Sequence, residues 1–576
     1  MTQDTSFSAR FAHWQNRRHA RRAARSRMAF GLVNPPEPRT IGSYAKGRHL
    51  LSGKIMLAGH LIHAGTKTIW QIRSPVPAFN DARHGFAWLD DLAAIGDSVA
   101  RDVAQDWVQQ WIAEFGRAKG DGWAPELVGR RVMRWINHAG FLTRGADDDD
   151  TDTFLKSLTQ QAFFLSRRWH ATPAGLPRLE ALTGLIYAGL HLKGFDKYRE
   201  SAANALAEEC DGLIDSDGGI ESRNAEELLD IFTLLNWAAA ALEQSQHMPH
   251  DDHIATIQRI APVLRALRQA DGGLARFHGG GRGLDGRLDR ALSQSGVKTR
   301  SKSGSVMGYQ RLATGRTSLI MDVAPPPMGP DQTRGHASTL AFEMTSGRRP
   351  VIVNCGEGSS FGTDWARAGR ATPSHSTLGI EGHSSARIAA GGDFLNDGPD
   401  KVPVELIRAD NGSIMIEAAH DGYAASHGLY HIRQLELSPD GRNITGSDAL
   451  TAVNDLHKAR FDAVLDKTLL QGVLFQVRFH LHPDVTASLD MGGKAVSLTL
   501  KSTEVWVFRH DSKATMALEP SVYLEKGRLH PRPTKQVVLS TRSMTYATRV
   551  TWSLSKAKDT PNSIRDLEHD GPVILR

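Results

Sequence analysis

The sequence predicts a multidomain α+β protein in which a helical domain precedes an antiparallel β-sandwich. Three observations carry that prediction. At 576 residues the chain exceeds what one compact core accommodates, so two or three domains are expected. Its first half repeats apolar residues at helical spacing, whereas its second half consists of β-branched and aromatic runs separated by turn signals. The period changes near Asp271-Gly272-Gly273.

In chain order, residues 1–87 read as a basic N-terminal arm and lead-in. Arg17, Arg18, Arg21, Arg22, Arg25 and Arg27 crowd one short stretch. That stretch suits either a solvated, fraying helix or an arm that meets an anionic surface. Residues 88–275 read as the helical domain. Ile95, Val99, Val103, Trp107 and Trp111 step by four and draw one apolar stripe. Similar segments follow over Leu127–Leu142, Phe154–Leu165, Leu179–Leu192, Glu226–Leu242 and Ile254–Leu267. Polar or Gly/Pro breaks divide them, among them the acidic run Asp147–Asp150 and the stretch Pro173–Pro177. Successive helices on modest loops suit a bundle, a solenoid or an α/α toroid, and no strict sequence repeat singles out the solenoid.

Residues 276–305, with Phe277-His278-Gly279-Gly280-Gly281-Arg282-Gly283, read as a Gly-rich linker or a loop at a site. Residues 306–576 read as the sandwich. Ser318–Val323, Thr339–Met344, Val351–Val353, Ile414–Glu417, His431–Leu437, Phe475–Leu481 and Val505–Phe508 have strand composition. Ser346-Gly347, Asn411-Gly412 and Asp440-Gly441 supply turns between them, and no intervening helix is expected.

The net charge of +6 suits an acidic partner such as a uronate-containing polymer or a nucleic acid, without choosing between them. Two cysteines, Cys210 and Cys355, fall in different expected domains and read as free thiols. No apolar run approaches the roughly 20 residues of a membrane span. As the sequence stands, the expected location is the cytoplasm. No Walker loop, paired-cysteine motif or nucleophile elbow is present, and Gly281-Arg282-Gly283-Leu284-Asp285-Gly286 lacks the strand that a dinucleotide loop needs.

The densest chemistry lies in Arg334-Gly335-His336-Ala337-Ser338-Thr339-Leu340-Ala341-Phe342-Glu343, followed by Val351-Ile352-Val353-Asn354-Cys355-Gly356 and Ser374-His375-Ser376-Thr377-Leu378. Two histidines precede strands, with an asparagine between them. Such histidines either act as acid and base near neutral pH or pin a loop. Upstream stands Asp217-Gly218-Gly219-Ile220-Glu221-Ser222-Arg223-Asn224.

These segments resemble the signature of the heparinase II/III family: Gly-His-x-Asp-x-Leu-x-Phe, a strand ending Asp-x-Gly, a His-Asn-Thr segment, and a toroid loop of the form Asp-Gly-x-x-x-Glu-x-Ser. The resemblance implies an incomplete α/α toroid joined to an antiparallel β-sandwich. It also implies a polysaccharide lyase cleaving an acidic, uronate-containing glycan by β-elimination. His336 occupies the position of the family's histidine near the scissile bond. Arg223 and Asn224 would neutralise the uronate carboxylate, although Asn224 equally suits a helix cap. Tyr187 and Tyr430 are the candidates for the second proton carrier; Tyr187 sits in an apolar helix and equally suits a core, and Tyr430, at a strand start before His431 and Arg433, is the better of the two. Glu221, Arg334, His375, His431 and Arg433 would line the substrate. His375 matches a histidine that binds structural zinc in some members. Ser338 and Asn354 stand where metal ligands would, and both are poor zinc ligands. No cofactor is therefore required, and a weakly held divalent ion at His375 and Asn354 is left open. His480 and His482 share a strand face, as in some metal sites.

The implied partner is an acidic polysaccharide or oligosaccharide, with no nucleic acid. The family implies the cell envelope or periplasm as the alternative location. Two other function classes stand beside the lyase. One is a non-catalytic glycan-binding or envelope-associated protein on the same scaffold. The other is a hydrolase using two of Glu221, Glu226 and Glu227, which needs carboxyl groups facing each other across the bond.

Overall fold

The computed structural model describes residues 7–26, 30–40, 42–120, 122–299, 302 and 304–558, and these divide into two units. Arg27 of the basic stretch and the end of the chain from 559 onward lie outside the described residues. The first unit comprises residues 1–215 and 230–259, and the second comprises 216–229 and 260–573.

The first unit is helical. Phe7–Ala23 packs on Asp148–Arg168, and Pro125–Asn137 packs on Leu176–His191, which in turn meets Asp196–Leu213. The acidic run expected to be a break instead opens a helix. Asp147 caps it, accepting from the Asp150 amide at 2.7 Å, and Asp148, Asp149 and Asp150 fill its first turn. Negative charge there complements the helix dipole, while Arg167 and Arg168 complement its other end. The expected segment Leu127–Leu142 breaks at His138, whose ring reaches Asp90 at 2.9 Å. A small hairpin, Lys54–Leu57 with His60–His63, lies in the lead-in.

The first unit's core is aromatic. Trp70, Phe86, Trp88, Trp107, Trp111, Trp123 and Trp135 form a chain of ring contacts. Arg131 is fully buried among them, its guanidinium 4.1 Å from the Trp111 ring centre. It donates to the His84 and Gly122 carbonyls and to Gln161. Carbonyl dipoles and ring faces thus stand in for a carboxylate partner.

The second unit is a sandwich of two antiparallel sheets. One runs 404–408, 414–423, 429–437, 443–451, 547–556, 505–510, 495–499, 486–490. The other runs 515–523, 532–543, 473–481, 349–353, 342–346, 317–322, 309–314, and 378–380 pairs with 473–481. Their inner faces share one apolar core, in which Trp552 of one sheet stacks on Phe342 of the other at 6.0 Å.

Two strand expectations need correction. The Thr339–Met344 segment becomes a strand only from Phe342, because Leu340 is left-handed at φ 64 and turns the chain to give its amide to the Asp322 carbonyl. The β-rich half is also not free of helices. Asp455–Lys467 is capped by Asn454, which accepts from the His457 amide, and buries Phe461 in the sandwich core. Thr363–Arg370 is helical as well, and Arg287–Gln294 forms a helix within the expected Gly-rich linker.

Candidate functional site

The site grows from one buried carboxylate. The strand Thr317–Asp322 is buried along its whole length, so it delivers Asp322 to the interior, where its charge must be matched. Arg223 provides the match through Nη2. The same guanidinium donates to the carbonyls of Met307 at 3.0 Å, Gly308 at 2.8 Å and Pro325 at 2.8 Å. Ser338 donates to Asp322 Oδ2 at 2.7 Å, and His278 Nε2 stands 3.4 Å from that oxygen without hydrogen-bond geometry. Burial alone would raise the Asp322 pKa, but Arg223, His278 and Ser338 together hold it well below the usual carboxylate range. The Tyr309 hydroxyl donates to the Arg223 carbonyl at 2.7 Å, and its ring lies 4.7 Å from the guanidinium.

The backbone around this ion pair is strained. Arg223, His278, Met307 and Leu340 all have left-handed φ, between 45 and 64, and each touches Asp322 or its arginine. Each such residue costs on the order of 1 kcal/mol or more, so the surrounding contacts must over-determine the arrangement.

Three histidines adjoin the pair, and their partners fix their tautomers. His375 gives Nδ1–H to the Ala371 carbonyl at 2.9 Å, which leaves its Nε2 as an acceptor. His336 Nδ1 lies 3.1 Å from that Nε2 and must therefore donate. The outcome is a lone pair on His336 Nε2, which has no partner among the described residues. The His336 amide donates to His278 Nδ1 at 3.1 Å, so His278 carries its proton on Nε2, toward Asp322. Burial, reinforced by the neighbouring histidines, Arg370 and Lys526, presses the His336 pKa well down, and burial brings His375 to about 4. All three rings are neutral at pH 7. His336 is 2 % exposed and its Nε2 is closed off from solvent.

A second buried network braces the first. Arg433 donates to Asp448 at 2.8 Å and, through Nη1, to the Leu340 and Ser376 carbonyls at 2.8 Å each. It thereby ties together the loops that carry His336 and His375. A hydrogen-bonded chain runs from the Gly422 amide through His420 and His431 to Asp448, and Trp552 Nε1 donates to the other Asp448 oxygen.

The remaining sequence candidates fall as follows. Asn224 accepts from the Glu226 and Glu227 amides and so caps the helix Ala225–Gln244, while its neighbour Arg223 enters the cluster. Asn354 accepts from the Ser376 amide at 2.9 Å and pins the His375 loop. His431 and Arg433 belong to the bracing network rather than to an open surface. Tyr430 is not brought to the cluster: strand alternation sends its ring to the opposite face from His431 and Arg433, against His457 at 5.2 Å. Glu221 and Arg334 are exposed. Glu226 pairs with Lys526 at 2.6 Å and accepts from the Gly281 amide, while Glu227 accepts from Ser222.

His480 is engaged by Ser521 and the Pro373 carbonyl. Among the described residues no group of three or more His, Cys, Asp and Glu side chains is arranged to hold a metal ion. Sequence reasoning missed Asp322, Tyr309 and Asp448. The available signal was an acid ending or interrupting an otherwise strand-like run, as in Thr317–Asp322. His278 was visible only as part of the Gly-rich loop.

A helical unit is thus followed by a two-sheet sandwich that carries a histidine cluster at its strand entrances. Residues 296–553 match the family described as Heparinase II/III-like, C-terminal. The crystal structure of heparinase III is similar over 96% of this chain and 90% of that chain, with a TM-score of 0.68 at 14% identity. A heparan sulfate lyase HepC mutant from Pedobacter heparinus is similar over 96% of this chain and 89% of its own, with a TM-score of 0.58 at 14% identity. The architecture is accordingly an incomplete α/α toroid followed by an antiparallel β-sandwich. In sequence, the chain is 29% identical over 541 residues to FtsZ-localized protein C of Caulobacter vibrioides, covering 91% of this chain and 90% of the relative. No helix among the described residues is long and apolar enough to cross a membrane.

Proposed function

We propose that this chain uses the lyase fold to bind an acidic glycan without cleaving it, and that it takes its place with FtsZ at the division site. The observation that carries the reading is the closure of the histidine cluster. β-Elimination needs a base in contact with the proton alpha to the uronate carboxylate, and an acid within reach of the leaving oxygen. His336 is 2 % exposed, Arg223 is committed to Asp322, and Tyr430 points to the other face. The likeness to FtsZ-localized protein C along nearly all of both chains supports the placement.

A second reading, the β-eliminating lyase, is favoured by one observation. His336 Nε2 carries an oriented, unpaired lone pair, the state a general base requires. It needs an opening of the cluster to meet substrate.

One pair of measurements separates the two. The full chain is incubated with heparan-type, chondroitin-type, alginate and bacterial exopolysaccharide chains while ultraviolet absorbance follows unsaturated uronate, and a fluorescent fusion is imaged in dividing cells. A flat trace with a mid-cell band is expected. A rise in absorbance abolished by His336→Ala would establish the lyase instead, and a diffuse fusion would remove the division-site placement.

A further inference from the structure

The strands that brace the histidines also have an outer face, and alternation gives it a different chemistry. His431, Arg433 and Asp448 point inward, whereas Gln434, Glu436, Thr445 and Ser447 point outward. Register aligns these outward residues with the next two strands. Glu436 lies opposite Thr445, Thr445 opposite Ser553, and Ser553 opposite Arg509. One step along, Gln434 lies opposite Ser447, and Ser447 opposite Thr551.

The middle of the face therefore carries four short hydroxyl side chains, and its margins carry long ones. That difference in length makes a groove of about 410 Å³, within the size of small-ligand clefts. Its two walls differ in chemistry. Glu436 and Gln434 offer acceptors on one side. Arg509 stands on the strand at the other side with His510, and Arg549 stands farther along the middle strand; both arginines are exposed, and Asp511 beside them accepts from the Thr551 amide and hydroxyl. Among the described residues Arg509 touches only the Met491 sulfur, at 3.8 Å, and its guanidinium meets no carboxylate there. The ring of His510 accepts the Ser512 amide at Nδ1, which leaves Nε2–H free to donate.

We infer that this groove is the binding site for an acidic oligosaccharide, on the sheet face opposite the histidine cluster. The inference rests on the glycan-binding reading above and gives it a place. Forked guanidinium donors suit carboxylate or sulfate groups, while hydroxyls and the Glu436 and Gln434 oxygens suit the sugar hydroxyls between them. A neutral saccharide leaves both arginines unused. The closed histidine cluster offers no comparable surface, and the apolar residues exposed elsewhere on the sandwich offer no donors.

The test is calorimetric titration of the full chain with a heparin-derived tetrasaccharide, with maltotetraose as the neutral comparison. Two double variants are compared, Arg509→Ala with Arg549→Ala in the groove, and Lys458→Ala with Lys467→Ala on the exposed helix Asp455–Lys467. The groove variant should weaken tetrasaccharide binding by about ten-fold or more, the lysine variant should stay within roughly two-fold of the parent, and maltotetraose should not bind. Unchanged affinity in the groove variant, or an equal loss in both variants, would overturn the groove while leaving glycan binding intact. Absence of tetrasaccharide binding by the parent protein would overturn the glycan-binding reading itself.

Discussion

Asp322 is the residue on which the site turns. It is fully buried, and its charge is met by one guanidinium, one hydroxyl and one nearby imidazole. Removing half of a buried ion pair leaves the other half unmatched, which is strongly destabilising. Asp322→Asn should therefore lower stability by about 3–5 kcal/mol, read as a fall in the urea unfolding midpoint. Replacing both partners together, Arg223→Met with Asp322→Leu, should recover part of that loss, because no orphan charge then remains. An Asp322→Asn protein as stable as the parent would show that Arg223 is satisfied by the carbonyls of Met307, Gly308 and Pro325 alone.

At the scale of elements, two helices of the first unit meet through glycine. Gly129 on Pro125–Asn137 lies so close to Leu176–His191 that an added Cβ would come within 2.5 Å of the Glu180 carbonyl oxygen. From the other side, a Cβ on Gly184 would come within 2.8 Å of the Gly129 Cα. The obstacle in both cases is backbone, which cannot rotate away. Gly129→Ala should separate the helices and cost about 1–3 kcal/mol despite alanine's better helix propensity, detectable as a lowered thermal midpoint. A raised midpoint would mean that propensity outweighs packing at this crossing.

The whole molecule should be acid-sensitive in two stages. His278, His336, His375, His420 and His480 are buried and held neutral, with pKa values lowered chiefly by burial. Unfolding returns each to about 6.5, so below that pH the unfolded chain binds protons that the folded chain does not. Stability therefore falls as pH drops from about 6.5, by up to roughly 1.4 kcal/mol per pH unit for each histidine. Asp322 and Asp448 have depressed pKa values, and their contribution persists until pH falls through about 3.9. Thermal midpoints measured between pH 7 and 5 should decline steeply, and His336→Gln should shallow the slope. A flat profile over that window would show that the histidines reach solvent and titrate normally.

The order of helices then strands, and the histidines at strand entrances, follow from local pattern and motif. Apolar spacing at the helical period and β-branched runs are properties of neighbours in the chain, and Val103 to Trp111 and Phe475–Leu481 display them directly, whereas Ile95 ends the preceding helix at Gly96 and Val99 is exposed. Position of His336 and His375 before strands is equally local. What those groups do is not. Nothing near Thr317–Asp322 says that its terminal acid will meet an arginine 99 residues earlier, and nothing near Tyr430 says which face it will take. The lone pair on His336 depends on a carbonyl at Ala371 acting through His375. The outer groove exists only because four strands, from residue 434 to residue 553, come into register. Periodicity is written along the chain, but burial, proton position and charge pairing are set by atoms far apart in sequence. Only the folded arrangement brings those atoms within a few ångströms of one another.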